Sequence, residues 1–245
     1  MKEFFKEIIW LKEVTSTQDY IKKLALEGAE SGTIAVAAVQ TVARGRFEKS
    51  WRAPLGGLYF SFLLRPDKVE ASYLGWLPLV WGLAASKFVE KFSGVEAKLK
   101  WPNDVYVNDK KLAGILCESQ FLGDKLDFVV SGMGINIDAD ADSLPENAVN
   151  LRHLIDDEID IKAFLNLFLP YIYHYYDEYM RHGSKYIKNE ISKIDYLAKK
   201  KVIVNSQGEI LLGIADGVDD NGRLILDSPE VGRLSFSSAE ISLAV

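Results

Sequence analysis

Apolar residues in this chain occur in short runs, and the period of each run predicts the element that it forms. A strand is expected where apolar and polar residues alternate, or where a short apolar run lies between turn residues. Such runs in the first half of the chain lie at 7–14, 32–39, 56–66, 95–101 and 105–107. The turn sequences "NDKK" and "GDK" precede two further runs, 112–121 and 126–137. We expect these later strands to form an antiparallel meander.

Helical periodicity covers three other segments: 15–28, 71–94 and 161–192. The first has Ser16 or Thr17 as its N-cap. The second is a long apolar helix in which Pro78 is expected near the first turns or at a kink. The third is rich in aromatic residues and predicts two helices separated around Gly183.

The pattern changes from about Lys199, where short β-like runs are broken by Gly and Asn. Asn221-Gly222, between two apolar runs, is the strongest hairpin signal in the chain. We predict an α+β fold in which a mixed or antiparallel sheet is flanked by helices and is followed by a small β-barrel. The expected domains are 1–195 and 196–245.

Composition limits the classes of protein that are possible. The 245 residues are 48% hydrophobic and carry a net charge of -6, which disfavours a general nucleic-acid-binding protein. No apolar run approaches the ~20 residues that a membrane span requires. The single cysteine, Cys117, cannot form an internal disulfide, and three histidines without companion cysteines give no zinc spacing. A cytoplasmic protein that binds neither membranes nor nucleic acids is expected.

One short segment is strongly basic despite the acidic composition. In "QTVARGRFEKSW" and the residue after it, four cations surround the single acid Glu48: Arg44, Arg46, Lys49 and Arg52. Arginine forks suit phosphate oxygens, and the intervening glycine lets a bound group approach the backbone. The segment is therefore either an anion clamp or a solvated basic loop. The fragment alone favours the solvated loop, because charged surface clusters are common.

A second basic segment, "KLKWPND", follows the long helix. Lys98 and Lys100 alternate with apolar residues, so a strand projects both ammonium groups from one face. One interpretation is an ordinary half-buried strand with solvated lysines. In the other, Lys100 contacts a phosphate and Asp104 lies near a metal or in a hydrogen-bond network. The residues alone leave both interpretations open.

Together, the motifs resemble those of the biotin protein ligases. The chain contains "TSTQ", "QTVARGRFEKSW", "GGLYFS", "LKWPNDVYVNDKKLAGILCE" and "SGMGINI" in the family's order, over about residues 8–140. The terminal β-rich segment is similar to the family's SH3-like C-terminal domain. The resemblance implies an enzyme that makes biotinyl-5′-AMP from biotin and Mg·ATP. It then transfers biotin to a lysine of a biotin carboxyl carrier domain, as in acetyl-CoA carboxylase.

The resemblance also implies the site. Lys100 and Arg46 are the expected catalytic residues, and Asp104 is a possible Mg²⁺ ligand. The residues expected to bind biotin or the adenylate are Ser16, Thr17, Gln18, Gln40, Arg44, Gly45, Arg46, Trp51, Lys100, Asn103, Lys111, Gly114 and Asn136. The basic segment is expected to be a lid that becomes ordered over the adenylate.

The chain departs from the family pattern at Gln18, Ala43, Glu48 and Lys49. The last three would make the lid stiffer and less positive. Lipoate ligases share the catalytic fold, but the intact "RGR" and "KWPND" favour biotin. Some relatives are also transcriptional repressors with an N-terminal DNA-binding module. Only about fifteen residues precede "STQ", so the short, ligase-only form is expected, with a homodimer possible.

Overall fold

The computed structural model describes residues 4–47, 49–66, 71–155 and 157–244. The strands are β1 (Glu7–Val14), β2 (Thr33–Gln40), β3 (Gly57–Leu64), β4 (Lys98–Lys100), β5 (Asp104–Val107), β6 (Lys110–Leu122), β7 (Lys125–Asn136), β8 (Lys201–Ser206), β9 (Glu209–Val218), β10 (Leu224–Ser228), β11 (Gly232–Phe236) and β12 (Glu240–Leu243). The helices are α1 (Thr17–Leu26), α2 (Ala71–Ser93), α3 (Arg152–Ile155) and α4 (Ile161–Ser192).

Seven strands form the main sheet, in the order β1-β2-β3-β7-β6-β5-β4. β1 and β2 are parallel and the other pairs are antiparallel, so the predicted mixed sheet and its meander are confirmed. Asn108 and Asp109, between β5 and β6, both have positive φ angles, of 49° and 59°. Asn and Asp tolerate this conformation, which is the one that a tight two-residue hairpin turn requires.

Both faces of the central strand β3 are buried. Its even-numbered residues, such as Phe60 and Phe62, pack in the large core beside α2 and α4. Leu63 instead packs with Ile21 of α1 in a smaller core on the other face. Because side chains alternate along a strand, Ser61 also points to the α1 face.

The helices agree with the predicted pattern. Ser16 is the N-cap of α1, where its hydroxyl accepts a hydrogen bond from the backbone N–H of Asp19. Pro78 lies inside α2. Gly183 has a non-helical conformation that divides α4 at the predicted position, with φ 70° and ψ −170°.

The C-terminal strands form a five-stranded antiparallel sheet, in the order β11-β10-β9-β8-β12. The edge strands β11 and β12 do not pair with each other among the described residues, so a sheet rather than a closed barrel is seen.

The turn before β10 contacts the large core. The indole N–H of Trp101 donates to Gly222 O (2.9 Å), and the indole N–H of Trp76 donates to Asp220 O (3.2 Å). One hydrophobic core continues through both sheets. The domain division at 195/196 stays a prediction.

None of the helices in the described parts of the chain has the length and hydropathy needed to cross a membrane.

Candidate active site

A cavity of 580 Å³ lies between the main sheet, the basic segment and the C-terminal sheet. It brings together nearly all the residues that the sequence predicted. Those that line it are Ser16, Thr17, Gln18, Gln40, Arg44, Gly45, Arg46, Trp51, Lys100, Asn103, Asp104, Lys111 and Gly114. Asn136 is buried on β7 outside this lining, and its Nδ2 donates to Lys111 O at 3.4 Å. The predicted residues other than Asn136 therefore lie around one cavity, and their roles stay predictions.

One part of the cavity wall is a chain of hydrogen-bonded polar side chains. Gln40 Oε1 accepts from the backbone N–H of Thr17 (2.6 Å) and from its hydroxyl (3.0 Å). The Thr17 hydroxyl also lies 2.9 Å from Ser61 Oγ, which lies 3.0 Å from Gln18 Oε1. Gln18 Nε2 donates to Val130 O at 3.0 Å, which fixes the orientation of its amide.

This polar chain is rich in oxygen atoms. Gln40 Oε1 accepts from the backbone N–H of Thr17, and the hydroxyls of Thr17 and Ser61 supply two further hydrogens. Those two hydrogens serve three oxygen–oxygen contacts. With Thr17 N–H bonded to Gln40 Oε1, each of these oxygens can have a hydrogen-bond partner, and the lone pairs that remain can accept from a ligand N–H group.

Two glycines form a flat floor beneath Trp51. Gly114 of β6 and Gly134 of β7 are directly paired across the sheet. A Cβ atom at Gly134 would lie 2.7 Å from the indole Cε2 and Nε1 of Trp51, and one at Gly114 would lie 3.0 Å from its Cζ3. The missing side chain at Gly134 therefore allows the indole to rest on the sheet, and an added Cβ at Gly114 would fit only tightly against it. Its buried Nε1 has no hydrogen-bond partner among the described residues.

The basic segment forms a hairpin, which we call the basic hairpin and define as residues 43–47 and 49–51. Its arms are joined by the hydrogen bonds Gly45 N to Lys49 O (2.6 Å) and Trp51 N to Ala43 O (2.9 Å). Ala43 is buried and packs beside Trp51, so the departure from glycine at this position is accommodated by packing. Glu48, the departure at the tip, lies outside the described residues.

Two cations in the lining have neutral hydrogen-bond partners. Arg46 donates to Asn103 Oδ1 (3.4 Å) and to Ser238 Oγ (2.6 Å), and Lys100 donates to the Tyr106 hydroxyl (3.4 Å). Burial lowers the pKa of Arg46 and that of Lys100, and nearby Asp104 opposes both shifts. Neither cation has an ion-pair partner within 4 Å among the described residues, so both are suited to hold an anion.

The other lining cations are already paired. Lys111 Nζ lies 2.7 Å from Asp104 Oδ1 and 5.2 Å from the centroid of the Trp51 ring. Lys49, at the tip of the hairpin, forms a 2.6 Å ion pair with Glu240. Arg44 contacts two carboxylates, those of Asp19 and Glu118. The positive charge available in the cavity is therefore concentrated on Arg46 and Lys100.

Three polar residues in or beside the cavity were missed from the sequence: Ser61 and Glu240, which line it, and Ser238, which bonds to Arg46. Ser61 is a polar residue within the apolar run "GLYFSFLL", and that break in the pattern could have identified it. Ser238 and Glu240 contact the basic hairpin from the C-terminal sheet. No local pattern marks either residue, because their position depends on how the two sheets pack.

Comparison with known proteins adds an independent finding. Residues 10–136 match the model of the "Biotin/lipoate A/B protein ligase family", and residues 200–244 match that of the "Biotin protein ligase C terminal domain". The first match covers more than half of the chain and includes the polar wall, the basic hairpin and the glycine floor.

Individual proteins are similar over almost the whole chain. The "Bifunctional ligase/repressor BirA" of Bacillus spizizenii is 31% identical over 97% of this chain and 74% of its own length. The "Biotin--[acetyl-CoA-carboxylase] ligase" of Paracoccus denitrificans is 30% identical, over 94% of this chain and 98% of its own. A structure titled biotin protein ligase from Aquifex aeolicus in complex with biotin and ATP is 33% identical. It superposes with a TM-score of 0.83 and covers 98% of this chain and 99% of that chain.

Proposed function

This chain belongs to the biotin/lipoate A/B protein ligase family, and we propose that it is an ATP-dependent biotin protein ligase. It joins the carboxylate of biotin to the AMP part of ATP, which gives biotinyl-5′-AMP and releases pyrophosphate. It then transfers biotin to a lysine of a carrier protein. The observation that carries the proposal is one cavity that combines a polar wall, a glycine floor and two cations with no carboxylate partner among the described residues.

The polar wall supports biotin rather than lipoate as the acid. Biotin has a ureido ring with two N–H donors and one carbonyl, whereas the lipoate ring carries sulfur atoms and no N–H. The wall formed by Thr17, Gln18, Gln40 and Ser61 presents side-chain oxygens whose lone pairs can accept hydrogen bonds from a ligand. A ureido N–H can donate to one of these oxygens, whereas a dithiolane ring has no hydrogen to donate.

The cations support the first chemical step. A carboxylate oxygen of biotin attacks the α-phosphorus of ATP, and the bond between that phosphorus and the pyrophosphate oxygen breaks. Biotin is already ionised at neutral pH, so this step requires positioning and neutralisation of charge rather than a general base. Arg46 and Lys100 are the residues we assign to this role. Trp51 on its glycine floor provides an aromatic surface for the adenine or for closing the hairpin.

Mg²⁺ would enter this site with the phosphates of ATP. The described residues contain no cluster of three or more potential metal ligands, and Asp104 is ion-paired with Lys111. Such a donor set fits Mg²⁺, which commonly uses one or two carboxylates together with substrate phosphates and water. Bound there, the ion would neutralise phosphate charge, and Asp104 is the residue that would hold it.

In the second step, the amine of the carrier lysine attacks the acyl carbon of the adenylate and AMP leaves. The amine must first lose a proton, and two hypotheses account for this. Asp104 accepts the proton, or the positive charge of Lys100 lowers the pKa of the incoming lysine.

We propose a biotin carboxyl carrier domain as the protein substrate. A homodimer, a cytoplasmic location and the absence of DNA binding stay predictions, and retention of DNA at physiological salt would contradict the last.

Incubation of the purified protein with Mg·ATP and either biotin or lipoate, without a carrier, tests the proposal. Native mass spectrometry is expected to detect retained biotinyl-adenylate and no lipoyl-adenylate. Lys100→Ala serves as the matched variant, in which the adenylate is expected to be depleted. Retained lipoyl-adenylate alone would instead assign the chain to the lipoate branch of the family.

A further inference from the structure

Arg44 and Arg46 lie two residues apart on the basic hairpin, but their surroundings are opposite. Arg44 donates to Glu118 through both nitrogens of its fork, at 3.0 and 3.2 Å, and to Asp19 at 2.5 Å. Burial alone would lower the pKa of Arg44, but Glu118 and Asp19 together raise it above the ordinary value. Arg46 has neutral hydrogen-bond partners. Of these two arginines, Arg46 is the one whose charge is not neutralised by a carboxylate among the described residues, so it can offer that charge to an anionic ligand.

We infer that Arg44 is a positioning residue: it fixes the inner end of the basic hairpin to α1 and β6 through Asp19 and Glu118, and does not contact the adenylate. This inference rests on the proposed function. The charge balance supports it, because one guanidinium faces two carboxylates. Moving Arg44 onto a phosphate would leave both carboxylates without their partner and would bring the phosphate close to them.

The anchor connects three parts of the cavity wall. Asp19 lies in the first turn of α1, directly after Thr17 and Gln18 of the polar wall. Glu118 lies on β6, the strand that supplies Gly114 to the glycine floor. Arg44 itself is bridged to Ser50 on the opposite arm of the hairpin, next to Trp51. Fixing Arg44 therefore fixes the arm that carries Trp51 relative to both the wall and the floor.

The ion pairs are partly exposed, with side-chain exposure of 39% for Arg44, 51% for Asp19 and 32% for Glu118. Pairs of this kind contribute little to global stability. Loss of the anchor should therefore change the position of the hairpin without unfolding the protein. The expected defect is faster release of the adenylate, with a nearly unchanged rate of adenylate formation at saturating biotin and ATP.

The decisive variant keeps Arg44 and removes its partners' charges: Asp19→Asn combined with Glu118→Gln. If Arg44 acts through these carboxylates, this variant releases adenylate about tenfold faster than the wild type, as does Arg44→Ala. Adding Arg44→Ala to it should change the release rate by less than about twofold, because the anchor is already lost. The matched control is Arg233→Ala, which removes an arginine held by Asp216 (2.7 Å) and Asp227 (2.9 Å) in the C-terminal sheet and should leave release unchanged.

Two results would overturn the inference. If Arg44 contacted the adenylate, the double carboxylate variant would release the adenylate no faster than the wild type. Adding Arg44→Ala to that variant would then raise the release rate by the full effect of about tenfold. The second readout is amide hydrogen exchange of residues 43–47 and 49–51 without ligand, which should rise in both variants. Unchanged hydrogen exchange in both variants would contradict the anchor, and this readout does not require the protein to form adenylate. If the wild type formed no adenylate, that result would count against the proposed function and not against the anchor.

Discussion

Gly134→Ala tests whether the glycine floor positions Trp51. The added Cβ would lie 2.7 Å from the indole, about 0.7 Å short of the 3.4 Å at which ordinary van der Waals contact begins. Overpacking of this kind typically costs about 1–3 kcal/mol, because the neighbouring side chain must leave its favoured position. Since each 1.4 kcal/mol is about tenfold in an equilibrium constant, the affinity for the adenylate should fall by about 5- to 150-fold.

The neighbouring glycine gives a graded comparison. A Cβ at Gly114 would lie 3.0 Å from Trp51 and 3.3 Å from Cε of Lys111, whose flexible end can move away. Gly114→Ala should therefore weaken adenylate binding by less than about fivefold, a cost of less than about 1 kcal/mol. Both variants are compared by the dissociation rate of preformed adenylate, with thermal denaturation as the check that the fold is retained.

The same reasoning requires that the cost of Gly134→Ala depend on the indole. In a Trp51→Ala background the clash no longer exists, so adding Gly134→Ala should change adenylate dissociation by less than about twofold. An equal effect of Gly134→Ala with and without Trp51 would refute the steric explanation. The glycine would then act through the ligand or the backbone.

Three further predictions concern individual side chains. Burial lowers the pKa of Lys100 below its ordinary value, although Asp104 opposes the shift, so the rate of adenylate formation should fall as the pH rises through that pKa. Lys100→Arg should remove this alkaline limb from the pH–rate profile, because arginine stays protonated. An unchanged limb in that variant would assign it to another group. Arg46→Ala should release biotinyl-adenylate about tenfold faster, because a charge-assisted contact to the ligand is lost, and a normal lifetime in a chase experiment would remove Arg46 from the site. Thr17→Val should weaken biotin binding by about tenfold in calorimetry and leave the KM for ATP within about twofold, whereas equal effects on both ligands would contradict a separate polar wall.

The parts of the fold that the sequence predicted are those with local causes. Alternating apolar residues defined the strands, and Asn108 and Asp109 adopt the positive φ angles that the predicted tight turn requires. Gly183 divides the last long helix because glycine readily adopts the left-handed conformation. Each of these predictions depends on a few neighbouring residues, so one sequence was sufficient for it.

The parts that could not be predicted depend on residues far apart in the chain. Arg44 and Arg46 are identical in type, but the partners of Arg44 lie 25 and 74 residues away, and Ser238, which contacts Arg46, lies 192 residues away. The resemblance placed both arginines with the adenylate. Only the packing of α1, β6 and the C-terminal sheet against the hairpin distinguishes the arginine held by carboxylates from the one with neutral partners.

Biotin-dependent exchange of labelled pyrophosphate into ATP is the most direct test of the central claim, because it detects reversible adenylate formation without any carrier protein. The purified protein should catalyse this exchange when biotin and Mg²⁺ are present. Lipoate should not replace biotin, and Lys100→Ala should strongly reduce the exchange. Exchange supported by lipoate and not by biotin, or no exchange with either acid, would contradict the assignment of this cavity to biotin activation.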